Sequence, residues 1–229
     1  MVAYASMPNF AIRMLFMLLY GVPLSPFVRK ALFMLYELDL PFEQVITLPG
    51  SDAPAFRAVS PLGRIPGFAD GEVTMWDSSA ICHYLIRGQD SALIDYAAPQ
   101  TLARVIAWDK YADDVLAEAV FPPLIERVVK PIRLGTDADE EVVTRAVNDL
   151  LPPVGDYLNE SLKQSGEAWL AGPAFSFADI AVGAHLSNLL LAGIALDDKR
   201  WPALGAWFTR LQQRDAFQRM CQEARDFRL

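Results

Sequence analysis

Two short segments hold the residue types from which a peptide-binding site can be built. One is Ser60-Pro61-Leu62-Gly63-Arg64-Ile65-Pro66; the other, about ten residues on, is Trp76-Asp77-Ser78-Ser79-Ala80-Ile81. Proline has no N–H donor and is poorly tolerated inside a paired strand, so Ile65-Pro66 at the head of an apolar run marks a bend whose main chain stays available. With a cis Ile65–Pro66 bond, the Ile65 main chain would face outward and could pair with an extended peptide as an added strand. Asp77-Ser78-Ser79 opens a helix predicted over Ala80–Ile86, whose first N–H groups are unpaired and attract a carboxylate. The Asp77 carboxylate beside them could take an ammonium. Such a site suits a short zwitterionic peptide, although a strand turn and a capped helix would use the same residues with no ligand.

A third segment, Ser25-Pro26-Phe27, places a hydroxyl at a helix start, with Ser25 as N-cap and Pro26 at the first helical position. Other reactive side chains are poorly arranged. Cys82 and His83 are neighbours on a predicted helix and point to different faces, so they form no nucleophile-base pair. Cys82 reads as a small core residue, and His185, alone in an apolar helix, as a hydrogen-bonded core histidine. With two histidines and two scattered cysteines, a metal site is not expected.

The elements that must position these groups fall into two parts. An apolar strand, Met14–Tyr20, is stopped by Gly21-Val22-Pro23, and a helix follows from Ser25-Pro26 with Phe27, Ala31, Leu35 and Leu38 on its apolar face. Phe42–Leu48 returns as a strand, and Asp52–Ala58 is a short helix or irregular piece. Ile65–Phe68 and Val73–Trp76 make a hairpin around Asp70-Gly71. Strand, helix, strand, short helix, hairpin, helix is a small α/β unit, expected over 14–95. Beyond Ala97-Ala98-Pro99 strand signals vanish, and an all-helical unit is expected over 99–229. Its first long helix, Leu102–Val120, bends or ends at Pro122-Pro123 and resumes toward Val129; Glu140–Gln164 should break or kink at Pro152-Pro153. In Phe175-Ser176-Phe177-Ala178-Asp179-Ile180, Ser176 and Asp179 form a capping box and Phe175 with Ile180 a hydrophobic staple. Pro202–Arg210 and Ala216–Arg225 close the unit.

The 229 residues, 53% apolar and 21% charged, can bury a substantial core, and 28 acidic against 20 basic residues disfavour nonspecific binding to nucleic acid or an anionic membrane. Cys82 and Cys221 provide neither a disulfide framework nor a CxxC motif, which fits a reducing cytoplasm. The apolar leader lacks the basic start of a signal peptide, Arg13 interrupts it, and no segment has the length expected of a membrane span. The residues up to Ile12 read as an extension.

The two opening segments, in this order and spacing, resemble the glutathione-binding half of the cytosolic glutathione transferases. The resemblance implies a thioredoxin-like N-terminal domain with an all-α C-terminal domain. It also implies that Pro66 is the cis-proline, that the Ile65 backbone pairs with the cysteinyl unit of glutathione, and that Asp77 and Ser78 hold its γ-glutamyl end. Ser60 stands where Asn is usual, Arg64 where Lys is common, and Asp77 where Glu is more frequent. The Ser176–Asp179 box matches the structural capping motif of the family's helical domain. Leu19 through Lys30, with its Ser-Pro-Phe core, is similar to the serine-type members, above all the tau-like pattern, in which this serine donates to the glutathione sulfur. A free thiol has a pKa of about 8.5, and lowering it by about two units takes about 2.7 kcal/mol of preferential thiolate stabilisation. A helix N-terminus and one hydroxyl can supply that.

By the same resemblance, Ser25 holds the thiolate, with Tyr20 a rival hydroxyl that packing would explain equally well. Arg64 is the better cation for the glycine carboxylate; Arg29 and Lys30 could serve there or merely form a solvated helix face. An apolar electrophile pocket is expected between the domains, with Val22, Pro23 and Leu24 on one wall and Trp108, Tyr111 or Val115 on the other. The resulting expectation is a cytoplasmic, homodimeric glutathione S-transferase using glutathione as cosubstrate. A noncatalytic glutathione-binding carrier of the same fold is the alternative, and a cysteine-type oxidoreductase is disfavoured because Ser25 stands where its thiol would be.

Overall fold

The run Met17–Tyr20 forms the first strand, β1, and Gly21 ends it for a steric reason. Its φ is +149°, and a Cβ there would meet Val28 Cγ2 at 2.5 Å and Ile65 Cβ at 3.3 Å, so strand end, following helix and proline bend converge on a point that only glycine fits. A computed structural model describes residues 17–89, 91–166 and 168–228. The expected strand start at 14–16 and the N-terminal extension lie outside the described residues.

Helix α1 (Pro26–Glu37) crosses from β1 to β2 (Phe42–Val45), which pairs parallel with β1 in register Met17 to Phe42. After α2 (Pro54–Val59), the Ile65–Pro66 bond is cis, and β3 (Gly67–Asp70) runs antiparallel to β1, with β4 (Val73–Met75) antiparallel to β3. The sheet order is β2-β1-β3-β4. Three strands differ from expectation: β2 stops at Val45, β4 stops at Met75, and β3 begins two residues late because Pro66 cannot join the ladder. Asp70 pairs with Val73, so the hairpin turn is Gly71-Glu72, with Gly71 at φ +60°. Helix α3 (Ser78–Gly88) starts earlier than expected because Asp77 caps it.

The helical half comprises α4 (Pro99–Tyr111), α5 (Ala117–Leu124), α6 (Lys130–Leu134), α7 (Glu140–Arg145), α8 (Leu151–Ser165), α9 (Phe177–Leu191), α10 (Pro202–Gln212) and α11 (Asp215–Asp226). Pro122-Pro123 does not end the first run. Helical backbone continues from α4 to α6 through wide π-type turns at Ala112–Leu116 and Ile125–Val129, the second directly after the prolines, where their missing N–H donors leave carbonyls to be re-paired. Another such turn, Ala146–Leu150, joins α7 to α8, whose first turn accommodates Pro152-Pro153.

Helix α9 is the central post of the core, buried from Phe177 to Leu189 and packed against α1, α4 and α5. Asp179, fully buried, holds its start: Oδ2 accepts from the Ser176 N–H at 2.9 Å and hydroxyl at 3.0 Å, while Oδ1 accepts from Leu170 N at 3.0 Å and Trp207 Nε1 at 2.8 Å. One carboxylate thus ties α9 to α10 and to the segment after α8. Among the described residues no helix is long and apolar enough to cross a membrane.

Candidate functional site

A cleft of about 460 Å³ opens between the halves, and all six residues singled out from the sequence, Ser25, Arg64, Ile65, Pro66, Asp77 and Ser78, line it. Three loops of the α/β half bring them together. Ser60, fully buried, donates its hydroxyl to Arg64 O at 2.7 Å, and Gly50 N donates to Gly63 O at 2.8 Å, which frames the approach to Pro66. Neither the N–H nor the C=O of Ile65 is engaged by another described residue, so an edge is left for an extended ligand.

Asp77 is the N-cap of α3, its Oδ1 accepting from Ala80 N at 2.9 Å. The cap holds one carboxylate oxygen in place and leaves the other toward solvent. The N–H groups of Ser78 and Ser79, in the first turn, have no partner among the described residues, which favours an anion there.

Ser25 caps α1 with extended backbone, and its Oγ accepts from Val28 N at a long 3.5 Å. Because the cap uses the oxygen as acceptor, the O–H remains free to donate into the cleft. Tyr20 is buried against Phe56 and Val59 and does not line the cleft.

Arg29 and Lys30 are neither solvated nor available to a ligand: both are fully buried. Arg29 places its five donors on neutral acceptors, Pro23 O (3.0 Å), Leu24 O (2.8 Å), Ala184 O (3.5 Å), Ser187 Oγ (3.0 Å) and Asn188 Oδ1, so it clamps the loop before Ser25 onto α9. Burial lowers its pKa to about 10, which leaves it protonated at neutral pH. Lys30 Nζ lies 2.8 Å from Asp109, 2.7 Å from Asp113 and 2.9 Å from Ser79 Oγ. Burial opposes its charge, but the two aspartates outweigh it and its pKa is raised.

Asp113 lines the cleft, and sequence reasoning missed it. Burial would raise its carboxyl, yet the His185 hydrogen bond and the Lys30 ammonium hold it below the ordinary value. His185 lies 3.0 Å from Asp113 through Nε2, and burial outweighs that carboxylate and lowers its pKa. The neutral ring must therefore donate through Nε2, which leaves Nδ1 without a partner among the described residues. Its core role is as expected, with an unexpected link to the cleft. Cys82 and Cys221 are buried thiols, the first pushed well up by burial and the second to about 11, so neither is an activated nucleophile.

The apolar wall differs from expectation. Val22 and Leu24 line it, but Pro23 does not, and opposite stand Phe121, Leu124, Ile125 and Val129 with the C-terminal Phe227. Trp108 and Tyr111 instead pack on each other and on Tyr157, with Trp108 Nε1 donating to Leu170 O at 3.1 Å, and Val115 is 49% exposed away from the cleft. The wall lies on the same continuous helical run, about two to four turns beyond the expected residues. The usable signal was the apolar spacing of Phe121, Leu124, Ile125, Val128, Val129 and Ile132 across Pro122-Pro123, which continues one helical stripe.

Comparisons with known proteins bear on the family and the fold. Residues 19–92 match the family described as glutathione S-transferase, N-terminal domain, and residues 140–210 match glutathione S-transferase, C-terminal domain. Glutathione S-transferase GstB of Escherichia coli (strain K12) is 29% identical over 212 residues, 88% of this chain and 96% of its own. A theta class glutathione S-transferase from Xanthomonas axonopodis pv. citri, solved with glutathione bound, superposes with a TM-score of 0.73 at 26% identity over 90% of this chain and 96% of its own. Glutathione S-transferase-I bound with lactoylglutathione shares the fold at a TM-score of 0.82 and 24% identity, over 90% of this chain and 99% of its own.

Proposed function

The chain belongs to the glutathione S-transferase family, and from that premise we propose that its cleft holds glutathione as a thiolate under the Ser25 hydroxyl and presents it to an apolar electrophile. The relatives that span nearly the whole chain are named as transferases, which favours an enzyme over a noncatalytic carrier. Ser78 and Asp77 take the γ-glutamyl end, the free main chain of Ile65 beside Pro66 pairs with the cysteinyl unit, and Arg64 faces the glycine carboxylate. The observation that carries the reading is the convergence of these six residues, from three separated loops, on one cleft with an apolar far wall. We take 14–95 as the glutathione half and 99–229 as the half that shapes the electrophile side. We further propose that the protein works as a homodimer in the cytoplasm in detoxifying conjugation, a reading that family membership supports.

The mechanism asks one thing of the protein, which is to favour S⁻ over S–H. The α1 N-terminus and the free Ser25 proton both act on the sulfur, and a hydrogen bond to a charged group contributes about 1.5–3 kcal/mol. The thiolate then attacks, its sulfur bonding to the electrophilic carbon as the leaving group departs with its electron pair. Ultraviolet titration of bound glutathione tests this: in Ser25→Ala the thiol pKa should climb by about one to two units toward the free value, with turnover near neutral pH falling about tenfold to a hundredfold while glutathione still binds. An unchanged thiol pKa in that variant would remove Ser25 from the mechanism.

A further inference from the structure

The cleft is lined by two cations, Arg64 and Arg133, and neither side chain has a hydrogen bond, ion pair or ring contact with any described residue. The aspartates that line it are engaged: Asp77 caps α3 and Asp113 is bound by Lys30 and His185. The charges are also sorted in space. Asp77 and Asp113 both belong to the α3 end of the cleft, Asp77 as the cap of α3 and Asp113 through Ser79 Oγ, which donates to it at 3.3 Å. Arg133, on α6, instead borders the loop of Leu48 and Pro49, which is tied through Gly50 to Gly63 and so to Arg64.

A tripeptide laid along this cleft presents one carboxylate at the cationic end, and Arg64, on the same loop as Ile65, faces it. Arg133 enters from the opposite half, beside Val129 and the apolar wall, and is left without a partner. We infer that Arg133 selects electrophiles that carry a carboxylate on an apolar body. This deepens the glutathione reading above and rests on it. A guanidinium beside apolar side chains pairs with a planar carboxylate through two parallel N–H donors, a geometry that an uncharged group of similar size does not match.

The test compares 4-chloro-3-nitrobenzoate with 4-chloro-3-nitrobenzamide, each rate divided by its uncatalysed rate. In both, sulfur replaces chloride on the ring, chloride leaves with the bonding pair, and the thiol proton has gone to solvent. The acid-to-amide ratio of kcat/KM should be about tenfold higher in the native protein than in Arg133→Gln, the size expected of one charge-assisted contact at a partly open site. Equal ratios in the two proteins would overturn the inference. A second arm uses glutathione and its glycyl ethyl ester: the preference for the free acid should collapse in Arg64→Gln and persist in Arg133→Gln. If Arg133→Gln erases it instead, the partner of Arg133 is the glycine carboxylate and the inference fails. Loss of glutathione binding and of both turnovers in the native protein would refute the glutathione reading, and the inference with it.

Discussion

Replacing Lys30 with methionine should be among the most damaging single changes in the α/β half, for reasons that can be worked from four contacts. Its ammonium, fully buried, lies 2.8 Å from Asp109, 2.7 Å from Asp113 and 2.9 Å from Ser79 Oγ, while Asp113 also accepts from His185. Methionine fills a similar volume but leaves two carboxylates facing each other with their cation gone. Removing one partner of a buried pair costs about 3–5 kcal/mol, a large part of a total stability of about 5–15 kcal/mol. The pH dependence gives the sharper test. The folded pKa of Lys30 is raised and that of Asp113 lowered, so the pair stabilises the native state from above the unfolded aspartate value of about 4 up to the unfolded lysine value of about 10.5.

Without Lys30 the stranded aspartates gain from protonation, so the gap between native and Lys30→Met proteins should narrow as pH falls from 7 toward 4.5. Urea unfolding at fixed protein concentration across that range measures the gap. A cost below about 1 kcal/mol at pH 7 would be that of an exposed pair. A gap that stays constant or widens on acidification would refute the assignment of charge. The double variant Lys30→Met with Asp113→Asn should recover part of the loss, because it removes one stranded charge.

Two further changes probe the buried polar anchors, one between the halves and one within the helical half. Arg29→Lys keeps a charge but leaves at least two of five acceptors unpaired, which should cost about 2–4 kcal/mol in urea unfolding and loosen the Pro23-Leu24 loop ahead of Ser25. Asp179→Ala strands four donors at the buried start of α9 and should cost about 3–5 kcal/mol, read as lost soluble yield and a lowered Tm; Asp179→Asn, which retains an acceptor, should lose less.

What the sequence made legible was local. Ile65-Pro66, the cap at Asp77 and the start at Ser25-Pro26 are each fixed by a backbone constraint on a neighbouring residue, so reading a few letters places them. The partners of Arg29 and Lys30 are set by distance in the fold: Ser187 and Asn188 lie on α9 and Asp109 and Asp113 at the end of α4 and just beyond, and no spacing along α1 reveals them. Two adjacent cations on a helix look like a solvated face until something covers them. The far wall was hidden for another reason. Pro122-Pro123 reads as an ending, yet the helix widens into a π-type turn and carries its apolar stripe past the prolines to face Val22 and Leu24.

The burial of Arg29 and Lys30 bears directly on how a thiolate could be held beside Ser25. Two cations on α1 would by themselves favour an anion, which would make the Ser25 hydroxyl redundant. They do not act by themselves, because Asp109 and Asp113 supply two carboxylates in the same buried layer, and His185, its pKa lowered by burial, adds no charge at neutral pH. The four formal charges of this layer cancel, and the free cations Arg64 and Arg133 line the cleft away from it. What then distinguishes S⁻ from S–H is the short-range field at the start of α1, namely the Phe27 amide, which has no partner among the described residues, and the one free hydroxyl proton of Ser25. A cancelled background also separates the two uses of α1: its buried cations hold the halves together, and its first turn is left to the sulfur. On that division of roles, a change at Ser25 should move the thiol pKa and cost only its long helix cap, about 0.5–2 kcal/mol, whereas a change at Lys30 should move stability first.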